Sequence, residues 1–277
     1  MSSMKKILIV IPARFGSTRL PGKPLLKIAG REMLLRVADI AQDVCRENDN
    51  CQFVVATDDE QIGELCKQHN IDFQYTSEHC KSGTERCFDL IGKLDYQPDF
   101  IINLQGDNPL CPPWFIQSLI DSWKQSEVGE VFTPFVRLTW PELDTLREVK
   151  QITPFSGTTV QVAKNMCALS FSKNIIPAIR KEEQWKTQTE FSPVLRHIGL
   201  YGYSYDALKS YLSMEESHYE KCEGLEQMRF VENAIPVKMV EVSYNGRDGM
   251  SGVDSPEDIQ RAEKIIADNG EFDIEQL

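Results

Sequence analysis

The sequence predicts an α/β fold built on a mostly parallel, doubly wound sheet. Through the first half of the 277-residue chain, short apolar runs alternate with amphipathic segments. Several runs are apolar at almost every position, as expected for strands that are covered on both faces. The β-α-β order requires crossover connections, and these place successive strands parallel in one sheet.

Four apolar runs in the first half predict strands, and four amphipathic segments predict helices. In chain order the strands are KKILIVIP, QFVVAT, DFQYT and FIINLQ. The helices are MLLRVADIAQDVC, DEQIGELCKQHN, TERCFDLIGKL and PPWFIQSLIDSW. Thr57 and Asp58 precede the second helix and are suitable caps. Pro112 and Pro113 open the fourth helix at positions that proline favours.

The pattern changes after Val131. Three shorter β-like runs, separated by turns, are VFTPFVRL, TTVQVAK and CALSFS. We expect them to form an inserted β-rich lobe, over approximately residues 131–200, within a single domain of residues 1–277. The polar stretch RKEEQWKTQTE is expected to be an exposed loop or helix.

The last third returns to the alternating pattern. HIGLYGYS and PVKMVEV predict strands, and YDALKSYL and EKCEGLEQMRFVENA predict helices. SPEDIQRAEKIIAD predicts a closing helix, with Ser255 as its cap and Pro256 at its first position.

The charge balance excludes two classes of partner. The chain carries 30 basic and 42 acidic residues, a net charge of −12. A nucleic-acid-binding protein should present a basic face, and so should a protein that docks on an anionic membrane.

No apolar run approaches the roughly 20 residues of a membrane span, and the apolar part of the N-terminal stretch is too short for a signal peptide. We therefore expect a cytoplasmic protein whose eight cysteines are free thiols.

The loop IPARFGSTRLPGKP, after the first predicted strand, departs from this acidic balance. Seven Lys or Arg and no Asp or Glu lie between Met1 and Arg31. In open parallel sheets, ligands bind at the carboxyl ends of the strands, where this loop lies. Arg14, Arg19 and Lys23 are suited to hold phosphate oxygens. A triphosphate is the expected ligand.

The loop matches neither of the two common phosphate-binding motifs. Gly16 and Gly22 are one residue too far apart for a Walker A loop, and Pro24 follows Lys23 in place of Ser or Thr. The G-x-G-x-x-G fingerprint of dinucleotide sites is also missing from it. The glycines nevertheless permit close backbone approach, and Ser17 supplies a hydroxyl donor.

Two aspartates are candidate metal ligands. Asp107 follows a predicted buried strand in NLQGDNP, and Asp254 lies in the turn SGVDSPED before the last helix. Either one alone is an ordinary turn former or cap. Beside a triphosphate loop they become candidates for Mg²⁺, which takes a few carboxylates together with phosphate oxygens and waters. Nucleotidyl transfer needs such a cation to offset charge on the α-phosphate and on the leaving pyrophosphate.

Seven motifs occur in the order in which they are found in one family. They are IPARFGSTRLPGKPL, VVATDDEQI, KSGTERCFDLI, INLQGDNPL, RHIGLYGYSYDAL, EGLEQMRFVENA and GVDSPEDIQRAEKI. In these motifs the chain resembles the CMP-Kdo synthetases, which are 3-deoxy-manno-octulosonate cytidylyltransferases. The resemblance covers roughly residues 6–267. The sialic-acid-activating relatives share the first loop but are less similar across KSGTER and LEQMR.

The resemblance implies a fold and a reaction. The fold is that of the nucleotide-diphospho-sugar transferases, with Mg²⁺ as cofactor and a homodimer formed partly through the lobe. In the reaction, the C2 hydroxyl of a 3-deoxy-2-ulosonic acid attacks the α-phosphate of CTP in line, which gives the CMP-sugar and pyrophosphate. Lipopolysaccharide and capsule assembly both use activated Kdo, and both pathways stay open.

The resemblance also implies roles for individual residues. The residues expected to bind the triphosphate are Arg14, Ser17, Arg19 and Lys23. Those expected near the cytosine and the nucleotide–sugar junction are Ser82, Gly83, Arg86 and Gln105. Those expected to hold Mg²⁺ are Asp107 and Asp254, and with Arg14 and Lys23 they are the residues expected to carry the catalysis. Those expected to line the sugar site are His197, Tyr201, Glu226 and Gln227.

Two of these sugar-site residues have ordinary structural alternatives. Arg196 and His197, beside Tyr201, supply the kind of groups that a sugar acid needs for its carboxylate and hydroxyls. His197 is also explained as a satisfied core histidine on a strand. Glu226 is also explained as an exposed helix residue that pairs with Lys221 or Arg229.

The chain departs from the family pattern where the sugar acid is expected to bind. Where the family reads something like YALYFSRSPIP, this chain has CALSFSKNIIPAIR, so that Lys173 replaces an arginine expected to contact the acid. That change loses bidentate geometry. The segment PFSGTTVQVAKNM also departs, and Lys81 stands where Gln is common. A different acceptor therefore stays open: an 8-amino octulosonate, another nonulosonate or a phosphonate.

Two other classes of function are weaker alternatives. A glycosyltransferase that consumes a nucleotide-sugar should carry a D-x-D metal motif, which TDDE does not match. A non-catalytic nucleotide-binding regulator is free to lose Asp107 or Asp254, and both are present. Pyrophosphate release from CTP and a sugar acid separates all three classes.

Overall fold

The computed structural model describes residues 5–16, 20–126, 130–250 and 252–272. They form two compact units. The first comprises Met1–Ile120, Leu200–Lys209 and Tyr244–Leu277, and the second comprises Asp121–Gly199 and Ser210–Ser243. Among the described residues, no helix combines the length and apolar character of a membrane span.

The first unit alternates strands and helices along its chain. Its strands are β1 Ile7–Ala13, β2 Lys27–Ile28, β3 Arg31–Glu32, β4 Cys51–Thr57, β5 Phe73–Tyr75, β6 Phe100–Asn103 and β11 Tyr201–Ser204. The helices that lie mostly in this unit are α1 Met33–Arg46, α2 Glu60–Gln68, α3 Gly83–Ile91, α4 Pro113–Gln125, α7 Tyr205–Ser213 and α10 Pro256–Asn269. A short 3-10 helix covers Lys23–Leu25.

The main sheet of the first unit has the strand order β5-β4-β1-β6-β11. The pairs β4–β5, β1–β4 and β1–β6 are parallel, and β1 is buried along almost its whole length. This confirms the predicted α/β class with its largely parallel sheet. β11 is the exception, since it runs antiparallel to β6, with Tyr201 opposite Asn103.

The second unit is built on an antiparallel group of strands with shorter helices. Its strands are β7 Val131–Thr139, β8 Thr159–Val162, β9 Ala168–Ser172, β10 Phe191–His197 and β12 Val237–Glu241. Its helices are α5 Trp140–Ile152, α6 Glu182–Lys186, α8 His218–Glu223 and α9 Met228–Glu232. β7 pairs antiparallel with β10 and parallel with β12, while β8 pairs antiparallel with β10 and β9.

Four local predictions were wrong in detail. HIGLYGYS is not one strand, because His197 ends β10 and Tyr201 begins β11. EKCEGLEQMRFVENA is not one helix, because Gly224 ends α8 in the left-handed conformation at φ 61°. The cap of α2 is Asp59, whose carboxylate accepts from two backbone N–H groups.

The fourth difference is α5, which the sequence analysis missed. Thr139 and Glu142 form a reciprocal capping box at its start. The apolar residues Trp140, Leu143 and Leu146 are buried along one face. β7 runs into this helix without a loop, so no turn residue marks the boundary.

A small apolar cluster connects the basic loop to the last helix. Leu20 and Ile28 pack with Met250 and Val253 before α10 and with Ala262 and Ile265 of α10. The cluster also contains Met33 of α1 and Leu110. Because these segments share one core, Lys23 and Asp254 lie close together despite their distance in sequence.

Gly22 completes the turn that presents Lys23. It adopts φ +65°, and an added Cβ would lie 3.1 Å from the ring of Phe15. Its N–H donates to the carbonyl of Phe15 at 3.1 Å, and the N–H of Lys23 donates to the carbonyl of Leu20. Glycine is the residue that accepts this conformation without a steric penalty.

Candidate active site

A cavity of about 240 Å³ opens in the first unit, at the carboxyl ends of β1 and β6. This is the edge of a parallel sheet at which ligands bind. Eight of the residues singled out from the sequence line it: Arg14, Lys23, Ser82, Gly83, Arg86, Gln105, Asp107 and Asp254. It is also lined by Pro12, Ala13, Pro24, Cys80, Lys81 and Gly106. Ser17 and Arg19 lie outside the described residues.

Lys23 forms the polar centre of the cavity. Its Nζ donates to Oδ2 of Asp107 at 2.7 Å and to Oδ1 of Asp254 at 3.0 Å. The Lys23 side chain is 13% exposed, whereas those of Asp107 and Asp254 are 37% and 51% exposed, so solvent partly screens these contacts. Burial lowers the pKa of this ammonium, but attraction and hydrogen bonds from the two aspartates raise it more, and its net pKa lies above the usual value. Lys23 therefore stays charged.

Backbone contacts bring the two aspartates to the same place. Asp107 lies in the turn after β6, and its carbonyl accepts from the N–H of Val253 at 2.9 Å. The N–H of Asp254 donates to the carboxylate of Asp258 at 3.0 Å, which also takes part in the capping box at Ser255. The cap of α10 thus fixes the backbone that carries Asp254.

The arrangement of oxygens is suitable for a cation. Two carboxylates from distant segments converge on one positive group, the ammonium of Lys23. Carboxylate oxygens are the protein ligands that Mg²⁺ prefers, and its remaining positions are usually filled by phosphate and water. Among the described residues, no group of three or more acidic, histidine or cysteine side chains could hold a metal. The two converging carboxylates suit a cation that takes its other ligands from phosphate and water.

A closely packed part of the cavity wall is formed by Ser82, Gly83 and Gln105. Ser82 caps α3, since its hydroxyl accepts from the N–H of Glu85 at 3.2 Å. At Gly83, an added Cβ would lie 3.1 Å from Oε1 of Gln105. The Nε2 of Gln105 donates to Oδ1 of Asn103 at 3.2 Å. The amide of Gln105 is therefore held from two sides.

Replacing Gly106 by Ala is expected to destabilise the protein by about 1–3 kcal/mol. An added Cβ at this position would lie 2.6 Å from the carbonyl oxygen of Pro12, which is backbone and cannot rotate away. Urea denaturation measures the loss. Gly199→Ala is the matched control, because nothing lies within 4 Å of its added Cβ. Equal stability of the two variants would contradict the prediction.

Arg86 lies in the cavity wall but is already bonded. The residue is 3% exposed. Its guanidinium donates to Asp58 and to the hydroxyl of Thr76, each at 2.6 Å. Asp58 is thus the partner of Arg86, whereas the sequence suggested it only as a cap of α2 and as one of the adjacent acids in TDDE. The ion pair ties the end of β4 to α3, so Arg86 contributes to the shape of the cavity.

Arg14 directly follows β1 and is exposed at the mouth of the same cavity. Its position at the end of a buried strand results from the apolar run that precedes it. The structure thus brings Arg14 and Lys23 of the basic loop to one cavity.

Arg196 and Lys173 lie in the second unit, near a third cation that the sequence analysis missed. Lys150 donates to the carbonyls of Ser156 and Lys173 at 2.5 Å each and to that of Gly157 at 2.9 Å. Burial, and then the charges of Arg196 and Lys173, lower the pKa of Lys150. Arg196 and Lys173 therefore lie near enough to disfavour the charged form of Lys150. Lys150 belongs to no motif, and its contacts come from the fold of the loop after α5.

Glu223 fixes the backbone around Lys173. Its carboxylate accepts from the hydroxyl of Ser172 at 3.0 and 3.1 Å and from the N–H of Lys173. The end of β9 is thereby held to the end of α8.

His197 is buried in the second unit. Its Nε2 lies 2.7 Å from the hydroxyl of Thr133, and its ring makes an edge contact with Phe171 at 5.0 Å between centroids. Burial lowers its pKa from the ordinary 6.5 to about 3. The imidazole is therefore neutral in the folded protein at neutral pH.

Because His197 stays neutral when folded, acidification should weaken the fold. Below pH 6.5 the unfolded chain binds a proton here and the folded chain does not, until the pH approaches about 3. In this range His197 should lower the free energy of unfolding by up to about 1.4 kcal/mol for each unit by which the pH falls. Urea denaturation of the wild type and of His197→Gln at several pH values measures it. A pH slope that is the same in both proteins would contradict this assignment.

The remaining predicted sugar residues are divided between the two units. Tyr201 lies on β11 in the first unit and stacks on Tyr203 at 5.9 Å. Gln227 is buried at the start of α9 in the second unit, 3% exposed. Glu226 precedes it, and burial followed by this carboxylate raises the pKa of Tyr211.

Comparisons with known proteins identify the family of the chain. The family described as Cytidylyltransferase matches residues 8–240. A 3-deoxy-manno-octulosonate cytidylyltransferase of Maricaulis maris is 42% identical over 96% of this chain and 99% of that protein. A 3-deoxy-manno-octulosonate cytidylyltransferase 2 of Paraburkholderia phytofirmans is 34% identical over 96% of this chain and 95% of that protein.

A solved structure of the same family is also similar to this chain. It is that of a CMP:2-keto-3-deoxy-manno-octonic acid synthetase complexed with CTP, with a TM-score of 0.81 and 31% identity, over 95% of this chain and 99% of that one. The chain is therefore a nucleotidyltransferase of the cytidylyltransferase family and belongs, within it, to the 3-deoxy-manno-octulosonate cytidylyltransferases.

Proposed function

We propose that this protein transfers a cytidylyl group from CTP to 3-deoxy-manno-octulosonate (Kdo), which gives CMP-Kdo and pyrophosphate. The observation that carries the proposal is the cavity in which Lys23 bridges Asp107 and Asp254 at the end of a parallel sheet. It has the cation and the carboxylates that transfer of a nucleotidyl group requires.

In this proposal the first unit binds the nucleotide. Arg14 and Lys23, with Ser17 and Arg19, hold the triphosphate, because cations and hydroxyls are the natural partners of phosphate oxygens. Charge on the leaving pyrophosphate is offset by Lys23, which is held ready by its two carboxylates. Ser82, Gly83 and Arg86 line the cytosine side, and Gln105 lies at the junction with the sugar.

Asp107 and Asp254 are the proposed ligands of Mg²⁺. When bound, Mg²⁺ offsets the charge on the α-phosphate and lowers the pKa of the attacking hydroxyl. Lys23 contacts one oxygen of each of these carboxylates, so its ammonium and Mg²⁺ would compete for the two aspartates.

The second unit supplies most of the residues proposed for the acceptor. The close approach of Lys150, Lys173 and Arg196 supports an acceptor that carries a carboxylate. Tyr201 of the first unit and His197, Glu226 and Gln227 of the second complete the proposed set.

Pyrophosphate release tests the proposed function. The reaction contains CTP, Mg²⁺ and one of Kdo, 8-amino-Kdo or sialic acid, and Asp107→Ala is the inactive control. Release with Kdo at a higher kcat/KM than with the other acids supports the proposal. Preference for another ulosonate would replace the acceptor. A protein that binds CTP but releases no pyrophosphate with any acid would remove the transferase function.

Lys173→Met tests the proposed acceptor residues separately from the proposed nucleotide residues in the same assay. We expect a rise in KM for the acceptor of about 10-fold, with KM for CTP unchanged, since a hydrogen bond to a charged group contributes about 1.5–3 kcal/mol. Lys264→Met, on the exposed side of α10, is the control. An equal rise in both KM values would place Lys173 outside the acceptor site.

Exposed apolar side chains in the second unit support a homodimer. Ile152, Phe155 and Leu169 are 85%, 76% and 60% exposed, which is unusual for large apolar residues unless a partner covers them. Sedimentation of the wild type and of Phe155→Glu tests the dimer, with Lys264→Glu as control. Loss of the dimer in Phe155→Glu alone is expected.

We also infer that the enzyme acts in the cytoplasm, where CTP is available, in lipopolysaccharide or capsule assembly.

A further inference from the structure

Two cysteine side chains of the first unit are in contact, far along the sheet from the candidate active site. The Sγ atoms of Cys45 and Cys51 lie 3.1 Å apart, and both residues are partly exposed. Both are free thiols in the structure, as are the other six cysteines. A disulfide bond is about 2 Å long, so a small movement of the two side chains brings the sulfur atoms to bonding distance.

The backbone on both sides holds the two thiols together. Cys45 lies in the last turn of α1, and Cys51 is the first residue of β4. Between them the N–H of Asn48 donates to the carbonyl of Cys45, and the N–H of Cys51 donates to the carbonyl of Asn48. Asn48 is itself buried, and its amide donates to the carbonyl of Val44 and to Gln117. The contact between the thiols is therefore a consequence of a fixed turn.

This pair has no part in the proposed cytidylyl transfer. Cys51 begins β4, whereas the strand ends that carry the cavity are at its other end, next to Thr57. Seven residues of extended strand separate the two ends by about 20 Å. A modification at Cys45 and Cys51 should leave the candidate active site unchanged.

We propose that Cys45 and Cys51 form a reversible intramolecular disulfide with a low-molecular-weight disulfide as oxidant. One protein thiolate attacks a sulfur of the small disulfide, which gives a mixed disulfide and releases one small thiol. The second protein thiol then attacks the protein sulfur of the mixed disulfide and releases the second small thiol. The two electrons and the two protons of the protein thiols pass to the small disulfide, so the reaction balances.

The bond stabilises the fold by restricting the unfolded chain. It closes a short loop between α1 and β4 at a point where the folded protein already holds the sulfur atoms in contact. We expect the melting temperature to rise by roughly 3–5 °C on oxidation. The hydrogen bond to Cys51, and then burial, raise the pKa of the Cys45 thiol.

The test treats the full-length protein with oxidised glutathione and follows its mass and its melting temperature. A Cys222→Ser background removes the exposed thiol that would otherwise react on its own. Supporting results are the loss of two hydrogens, a cross-linked peptide that joins Cys45 to Cys51, a higher melting temperature, and recovery of the original mass with a reductant.

Two matched variants complete the design. In Cys45→Ser and in Cys51→Ser the remaining thiol should carry one glutathione, without a rise in melting temperature. Pyrophosphate release, if the enzyme has that activity, should be the same before and after oxidation. The proposal is overturned if the parent protein carries glutathione on both thiols, or does not react, or is cross-linked at other cysteines.

Discussion

Replacing Lys23 by Met should lower kcat for pyrophosphate release by about 10³-fold, the upper part of the range for loss of one preorganised charged donor. The methionine keeps the length of the side chain but removes the ammonium that contacts Asp107 and Asp254. Lys27→Met is the matched control, because Lys27 belongs to the same basic segment but is 63% exposed and pairs with Glu32. We expect the control to keep kcat within about twofold.

A second measurement on Lys23→Met tests the proposed competition with the metal. Without the ammonium, two carboxylates face each other with no cation between them. Mg²⁺ should therefore bind to the variant without CTP more tightly than to the wild type, as measured by calorimetry. If kcat is preserved, or if Mg²⁺ binds more weakly to Lys23→Met, the assigned role of Lys23 is wrong.

Asp107→Asn should lower kcat by about 10²–10³-fold and raise the Mg²⁺ concentration needed for half-maximal rate. Asparagine keeps the volume and one acceptor oxygen but removes the charge that the proposed metal and Lys23 both contact. A titration of the initial rate with Mg²⁺ measures both changes.

The controls for Asp107→Asn separate metal binding from folding. Asp254→Asn should change the rate in the same direction, because Asp254 contacts the same ammonium. Asp39→Asn, in an ion pair with Arg31 on the surface, should leave the Mg²⁺ dependence unchanged. A loss of rate in Asp107→Asn with an unaltered Mg²⁺ dependence would argue against a metal at this aspartate.

Much of the first unit was predictable because the signals are local. The strands β1 and β6 are short, buried apolar runs, and α10 has its cap and its first proline adjacent in sequence. The elements missed or misplaced depend on single residues. Gly224 divides one amphipathic stretch into two helices, and the Thr139–Glu142 box starts α5 directly after a strand.

The candidate site was only partly predictable. The basic loop, both aspartates and the residues of the KSGTER and LQGD motifs could be proposed as candidates, because their residue types and their positions after predicted strands or before predicted helices are visible in the sequence. Asp58 and Lys150 could not, because their importance lies in contacts with residues that are distant in sequence or with loop carbonyls. For His197 the sequence left two explanations open, and the burial of its ring was visible only in the folded chain.

The α/β class and the family of the protein could be predicted from the sequence alone, since both depend on patterns within short segments. Only the tertiary structure decided that Lys23 lies between Asp107 and Asp254, 84 and 231 residues away. It also decided that Cys45 and Cys51 touch. The physical reason is that local patterns choose helices and strands, whereas packing of a shared core decides which distant side chains meet.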